Sequence, residues 1–148
     1  MLDVIGKLWA LPCTIAGIIV GAILLAASRG RGGYVRIRNN AVTFTTGLNL
    51  GGSITLGNVV VHAGGNASVW NADMIWTRYD RSAYINIGAH EEAHTYQYQK
   101  YGVLMPILWL AESILKGGIG KGRLEIAADD YAEIPGTRRR IADSSGVA

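Results

Sequence analysis

Charge is scarce in this sequence. Asp, Glu, Lys and Arg make up only 17% of its 148 residues, against roughly a quarter in an average soluble domain. The 14 Lys and Arg exceed the 11 Asp and Glu by three, too weak a surplus to argue for nucleic acid as a partner. Neither basic cluster, Arg29/Arg31/Arg36/Arg38 or Arg138–Arg140, sits in a nucleic-acid-binding motif. The single cysteine, Cys13, excludes an internal disulfide and lies in an apolar run, where it reads as a small core or lipid-facing residue. Only 3 prolines accompany 20 glycines, so the chain is rich in loops without the composition of a disordered one. No internal repeat is visible, and the length suits one domain with a core of its own.

What the chain does have, early, is a long apolar run. Leu8–Ala27, LWALPCTIAGIIVGAILLAA, carries no charge over twenty residues, about the length of a membrane-spanning helix. Three readings stay open. As a membrane helix it has Trp9 near one end and Arg29 and Arg31 just after the other, which by the positive-inside rule leaves the rest of the chain in the cytoplasm. As a signal segment it has Lys7 in front and Ala26-Ala27-Ser28 behind, against an acidic Asp3 and a long apolar stretch. As a buried helix or helical hairpin in a cytoplasmic protein it needs no membrane, and Gly17-x-x-x-Gly21 would let a second helix approach closely. The segment is therefore taken as residues 1–28, apolar and helical, preceding a second region over 29–148.

Downstream the pattern changes to alternation. YVRIR and AVTFTT, joined by Asn39-Asn40, read as a hairpin with one wet face. SITLGNVVVHAGG reads as a further strand pair or one bent strand, VWNADMIWTRYD as loop or irregular strand, and SAYINIG as a short strand leading into a helix from about His90 to Lys100. Gly102 breaks that helix; PILWLAESILK forms the next, with Pro106 in its first turn and Gly117-Gly118 after it. RLEIAADDYAEI is a third helix stopping before Pro135, and TRRRIADSSGVA a polar, frayed tail. The expected class is α+β: an apolar helix, a small antiparallel sheet, then three helices.

Two of the three histidines stand four apart in HEEAH, residues 90–94. On a helix, positions i and i+4 lie about 5–6 Å apart at Cβ, so the imidazoles of His90 and His94 can hold one ion between them. Glu91 is rotated by about 100° from His90 and can reach water on that ion rather than the ion itself, the place of a general base that later returns its proton to a leaving amine. Glu92 points elsewhere and is expected in solvent. A catalytic zinc site needs a third protein ligand. His62, in VVVHAGG, reads as a structural or rim residue, with a ligand role as the alternative; the downstream carboxylates are Glu112, Glu125, Asp129, Asp130 and Glu133. Glu112 lies on an amphipathic helix and reads as solvated.

Glu125-Ile-Ala-Ala-Asp129 has the form E-x-x-A-D. A chain with H-E-x-x-H followed on a later helix by E-x-x-A-D resembles the gluzincin metallopeptidases, most closely the integral-membrane class that includes the CAAX prenyl proteases. HEEAHTYQYQKYGVLMP is also similar to short, uncharacterised bacterial proteins carrying HExxHTxQ. The resemblance implies a zincin-like metal-binding domain in which Glu125 is the third zinc ligand. It implies that Asp129 is the carboxylate behind a liganding imidazole, that of His90, and that Ala128 is the small residue allowing the two helices to pack closely. Tyr96 and Tyr98, with Tyr101, follow the motif and are candidates for an oxyanion donor, though aromatic residues at this spacing usually pack. SAYINIG could offer an edge to an extended peptide.

The expected function is zinc-dependent (Zn2+) hydrolysis of a peptide or protein substrate, with membrane association through residues 8–27 as one open reading. Two alternatives remain: a zinc hydrolase acting on a non-peptide amide or ester, and a non-enzymatic membrane-associated or effector-like module whose histidines are structural.

Overall fold

The computed structural model describes residues 2–78 and 82–137 and has an α+β architecture. The elements are α1 (Leu2–Trp9), α2 (Leu11–Ala27), β1 (Tyr34–Arg38), β2 (Ala41–Thr45), β3 (Asn49–Leu56), β4 (Val59–Gly64), β5 (Ile75–Thr77), β6 (Tyr84–Asn86), α3 (Ile87–Tyr101), α4 (Met105–Leu115) and α5 (Arg123–Ala132). A single 3-10 turn, Gly102–Leu104, joins α3 to α4. Of the polar tail, Thr137 is described and residues 138–148, with Arg138–Arg140, lie outside the described residues, as do positions 79–81, the first two of which end the stretch expected to be loop or irregular strand.

The apolar run is not one helix. It divides at Ala10, ahead of Pro12, which takes an N-terminal position of α2 where its missing N–H costs no hydrogen bond. No helix among the described residues is long and apolar enough to cross a membrane. Nor do Gly17 and Gly21 face another helix. A Cβ on Gly17 would stand 2.8 Å from the Leu56 carbonyl oxygen and from Val59 Cβ, and one on Gly21 would stand 2.5 Å from the Phe44 ring. The small residues let α2 lie directly on the sheet, where Leu24 and Leu25 complete a cluster with Phe44, Val59 and Val61.

The main sheet has the order β1-β2-β4-β3. β1 and β2 form the expected hairpin, turned by Asn39 and Asn40 at φ 53° and 55°, the left-handed pair that matches strand twist. β3 and β4 form a second hairpin through Gly57-Asn58. Here the expectation of a wholly antiparallel sheet is corrected: β2 and β4 run parallel, Val42–Thr45 beside Val59–His62. The reason is burial. β4, VVVHAG, is buried along almost its whole length, so it needs a neighbour on each edge. β3 takes one edge, and β2, arriving in the same direction, takes the other.

Alternation gives the sheet two unlike faces. Leu56, Val59, Val61 and Phe44 point toward α2. Thr55 and its neighbours point toward α3, whose Glu91 accepts from Thr55 and whose Thr95 and Glu92 accept from Asn40 and Asn39. A polar helix and a polar strand face thus meet in the interior. α1 and α5 pack against α3, and the β5–β6 hairpin feeds straight into it.

Candidate metal centre

α3 begins three residues earlier than expected, at Ile87, because Asn86 caps it: its Oδ1 accepts the Ala89 N–H at 2.9 Å. Four turns follow with His90, Glu91 and His94 all buried. Across from them, α5 is set by Glu112. Expected in solvent, Glu112 instead accepts the Leu124 N–H at 3.0 Å and pairs with Arg123 at 3.2 Å. It satisfies an orphan donor at the helix N-terminus, and that bond is the main influence lowering its own pKa.

This places Glu125 and Asp129, both buried, against the α3 histidines. His90 Nε2 and His94 Nε2 stand 3.1 Å apart, and the Glu125 carboxylate lies 3.4 Å from the first and 3.5 Å from the second. The three donor atoms fall within 4.8 Å of one another. Asp129 Oδ1 comes 3.0 Å from the far nitrogen, His90 Nδ1, off the ideal hydrogen-bond direction but with neither atom otherwise hydrogen-bonded among the described residues. Of the sequence's candidates, His90, Glu91, His94, Glu125 and Asp129 are brought together.

A hydrogen bond on His94 and the close Asp129 contact on His90 fix what these nitrogens present. Gln97 donates its amide to the Leu124 carbonyl at 2.8 Å, which turns its Oε1 toward His94 Nδ1 at 2.9 Å. An amide oxygen and a carboxylate only accept, so both Nδ1 atoms carry protons and both Nε2 atoms offer lone pairs. Two lone pairs and a carboxylate then converge in a buried space. Such a group requires a positive charge at its centre. Without a metal, a proton supplies it. Burial disfavours charge on His90, yet the contacts with Asp129 and Glu125 and the charge of Glu91 outweigh it and raise its pKa to about 10. Burial likewise opposes the Glu125 anion, but His90, His94 and the Trp109 indole hold it at about 2. A divalent ion with a taste for imidazole and carboxylate fits this donor set and would displace that proton.

Glu91 stands beside the triad. Its Oε2 accepts the Thr55 hydroxyl at 2.5 Å, which ties it to β3. Trp109, from α4, donates to Glu125. Thr55, Gln97 and Trp109 are the supporting residues that the motifs alone did not reveal. Gln97 had a signal, standing three residues after His94 in HTYQ; Thr55 and Trp109 carried none.

Other candidates are elsewhere. His62 is fully buried on β4, with Nδ1 2.6 Å from Ser53 Oγ, and takes no part in the triad. Asp130 and Glu133 bind the buried Arg78 at 2.7 and 3.0 Å. Tyr96 is exposed and donates to Glu92 at 3.0 Å, beside Tyr131, its pKa pushed to about 12 by partial desolvation and by that carboxylate. Tyr98 is buried with Ala10 and Met105 at the wall of the cavity, and burial raises its pKa. Glu92, expected in solvent, binds Asn39 and Tyr96.

The centre opens on a cavity of about 540 Å³ walled by β3 from Gly51 to Leu56, by Trp76, and by Met105, Trp109 and Leu110. β6, the strand expected to offer an edge, has β5 on one side and the Ile85–Glu133 bridge on the other. Among the described residues, the strand edge beside the cavity with no strand paired to it is that of β3. Comparisons with family models, with curated proteins and with solved structures gave no match.

Proposed function

We propose that this chain is a zinc-dependent hydrolase, a metallopeptidase with a zincin-like arrangement. The observation that carries the reading is the convergence of His90 Nε2, His94 Nε2 and the Glu125 carboxylate, with Asp129 behind His90. Zinc favours this mixture of imidazole and carboxylate, and three protein ligands are the number that a catalytic site uses while keeping a position open. The ion supplies Lewis acidity, polarising a carbonyl and acidifying water.

The protein's own groups do the rest. Glu91, placed one residue from His90 and oriented by Thr55, accepts a proton from the attacking water and delivers it to the leaving amine. Asp129 holds the His90 ring in the tautomer that leaves Nε2 free, and Gln97 does the same for His94. An extended peptide fits the cavity because the open edge of β3 can hydrogen-bond a strand laid along it, which brings a peptide carbonyl beside Glu91. Attack by water is direct, so no acyl-enzyme forms.

Zinc content and turnover test separate halves of this reading. Purified protein should hold about one zinc per chain, and His94→Ala should lose it. Glu91→Gln should retain the metal and cut peptide turnover by roughly 10²–10⁴. A metal-free wild type after zinc-replete expression refutes the centre; full turnover in Glu91→Gln refutes the assigned base.

A further inference from the structure

The helices that build the outside of this molecule are turned the wrong way round for water. α2 touches the sheet along a narrow stripe through Gly17 and Gly21, while Ile15, Ile18, Ile19 and Ile23 are exposed. Its one polar side chain, Thr14, points inward, donating to the Ala10 carbonyl and accepting from the Asn58 N–H at 3.0 Å. α4 repeats the inversion: Ser113 is buried and Glu112 is engaged with α5, whereas Ile107, Leu110, Ile114 and Leu115 are exposed, Leu115 to 81%. α1 adds Val4, Ile5, Leu8 and Trp9. A surface helix in water carries its polar residues outside; α2 and α4 carry theirs inside, and α1 adds its apolar side chains to the same exposed surface.

The three faces adjoin. Ala10 and Cys13, where α1 meets α2, pack with Met105 at the start of α4, and Trp9 lies against Gly102 in the turn before it. Apart from Asp3 at the start of α1 and Glu112, which is paired with Arg123, the charges in and flanking these helices are cationic. From residue 4 to residue 72 the sequence contains no Asp or Glu. Arg29 and Arg31 follow α2, and Lys116 and Lys121 follow α4, all exposed. A second copy of the chain would bring the same cations to the contact, so self-association is disfavoured. Apolar helices with a cationic border match an anionic bilayer, whose headgroups attract Lys and Arg while its acyl layer takes the side chains.

We infer that α1, α2 and α4 form one face that lies in the surface of an anionic lipid bilayer, in its plane rather than across it. α2 cannot cross, because the sheet occupies one side of it and its length falls short. Pro106, Leu110 and Ile119 belong both to this exposed apolar surface and to the cavity wall, so the cavity opens beside the lipid. The docking does not depend on the metal centre.

The test is co-sedimentation of the full chain with vesicles of phosphatidylcholine alone or with about a third phosphatidylglycerol. The chain should pellet with the anionic vesicles, less so at high salt, with Trp9 quenched by brominated lipid. Ile19→Asp with Ile114→Asp should lower the partition coefficient at least about tenfold per site while far-ultraviolet circular dichroism stays unchanged. Arg29→Gln with Arg31→Gln, which leave the apolar face intact, should cost about fivefold per cation on anionic vesicles alone. Equal binding to neutral vesicles overturns the charge match. Failure to bind vesicles, or a wild-type dimer that the aspartates convert to monomer, overturns the bilayer as occupant.

Discussion

Two pairs of helices in this molecule invert the usual order of burial. α3 and α5 bury their polar residues, His90, Glu91, His94, Glu125 and Asp129, and leave Tyr96, Ile126 and Tyr131 outside. α2 and α4 also turn their few polar groups inward, but keep the greater part of their apolar surface exposed. In the first pair each buried polar atom answers another, and the set as a whole needs a cation. In the second, Thr14 and Glu112 merely splice neighbouring elements together. Burial of polarity is therefore a candidate metal site in one place and a joint in the other, and partner geometry tells them apart.

The sharpest way to break the first half of that comparison is at Asp129. It touches no metal-facing nitrogen directly; it holds the other side of His90 at 3.0 Å. Asp129→Asn should weaken zinc affinity by about 10–100-fold, read by competition with a chelator, with the fold intact. Unchanged affinity would make Asp129 a partner of Arg78 only, which lies 3.8 Å away.

The second half is tested through α2. Gly21→Ala places a methyl group within 2.5 Å of the Phe44 ring, so either that buried ring must shift in the core or the helix must lift off the sheet. The expected cost is about 1–3 kcal/mol in urea unfolding. Removing a glycine from a helix interior ordinarily stabilises it by roughly 0.5–1 kcal/mol, so the sign of the change decides whether close approach or propensity governs α2. Zinc affinity should not move.

The same contrast sets how much could be read from the chain. HEEAH announced itself because its chemistry is local: spacing on one helix is enough to bring His90 and His94 together. Asn39-Asn40 was legible for a similar reason, since two left-handed residues make a hairpin without help from elsewhere. Glu125 and Asp129 needed the E-x-x-A-D pattern to be singled out from five downstream carboxylates, because nothing local separates them from Asp130. Thr55, Gln97 and Trp109 act across 36, 27 and 16 residues of sequence, and only the folded chain brings them to bear. The parallel β2–β4 pair was illegible because strand direction depends on which edge of β4 remained to be filled. The division of the apolar run at Ala10 was obscured by its uniform hydropathy, which hides a change of partner from α3 to the sheet.

The smallest expected effect separates His62 from the histidines of the centre. His62 is 1% exposed, with Ser53 on Nδ1 and no hydrogen-bond partner on Nε2 among the described residues. Burial lowers its pKa from the ordinary 6.5, with Arg38 adding to the shift and Glu91 opposing it. The folded chain therefore refuses a proton that the unfolded chain accepts. The stability that neutral His62 contributes is present above pH 6.5 and declines as pH falls from there toward its depressed folded value. His62→Gln should flatten the part of the urea-midpoint profile that falls away below about pH 6.5, while zinc content at pH 7.5 stays that of the wild type. A variant that lost zinc would move His62 into the centre after all. A profile that kept its slope would assign the acid sensitivity to other groups and leave His62 a packing residue, a buried joint like Thr14.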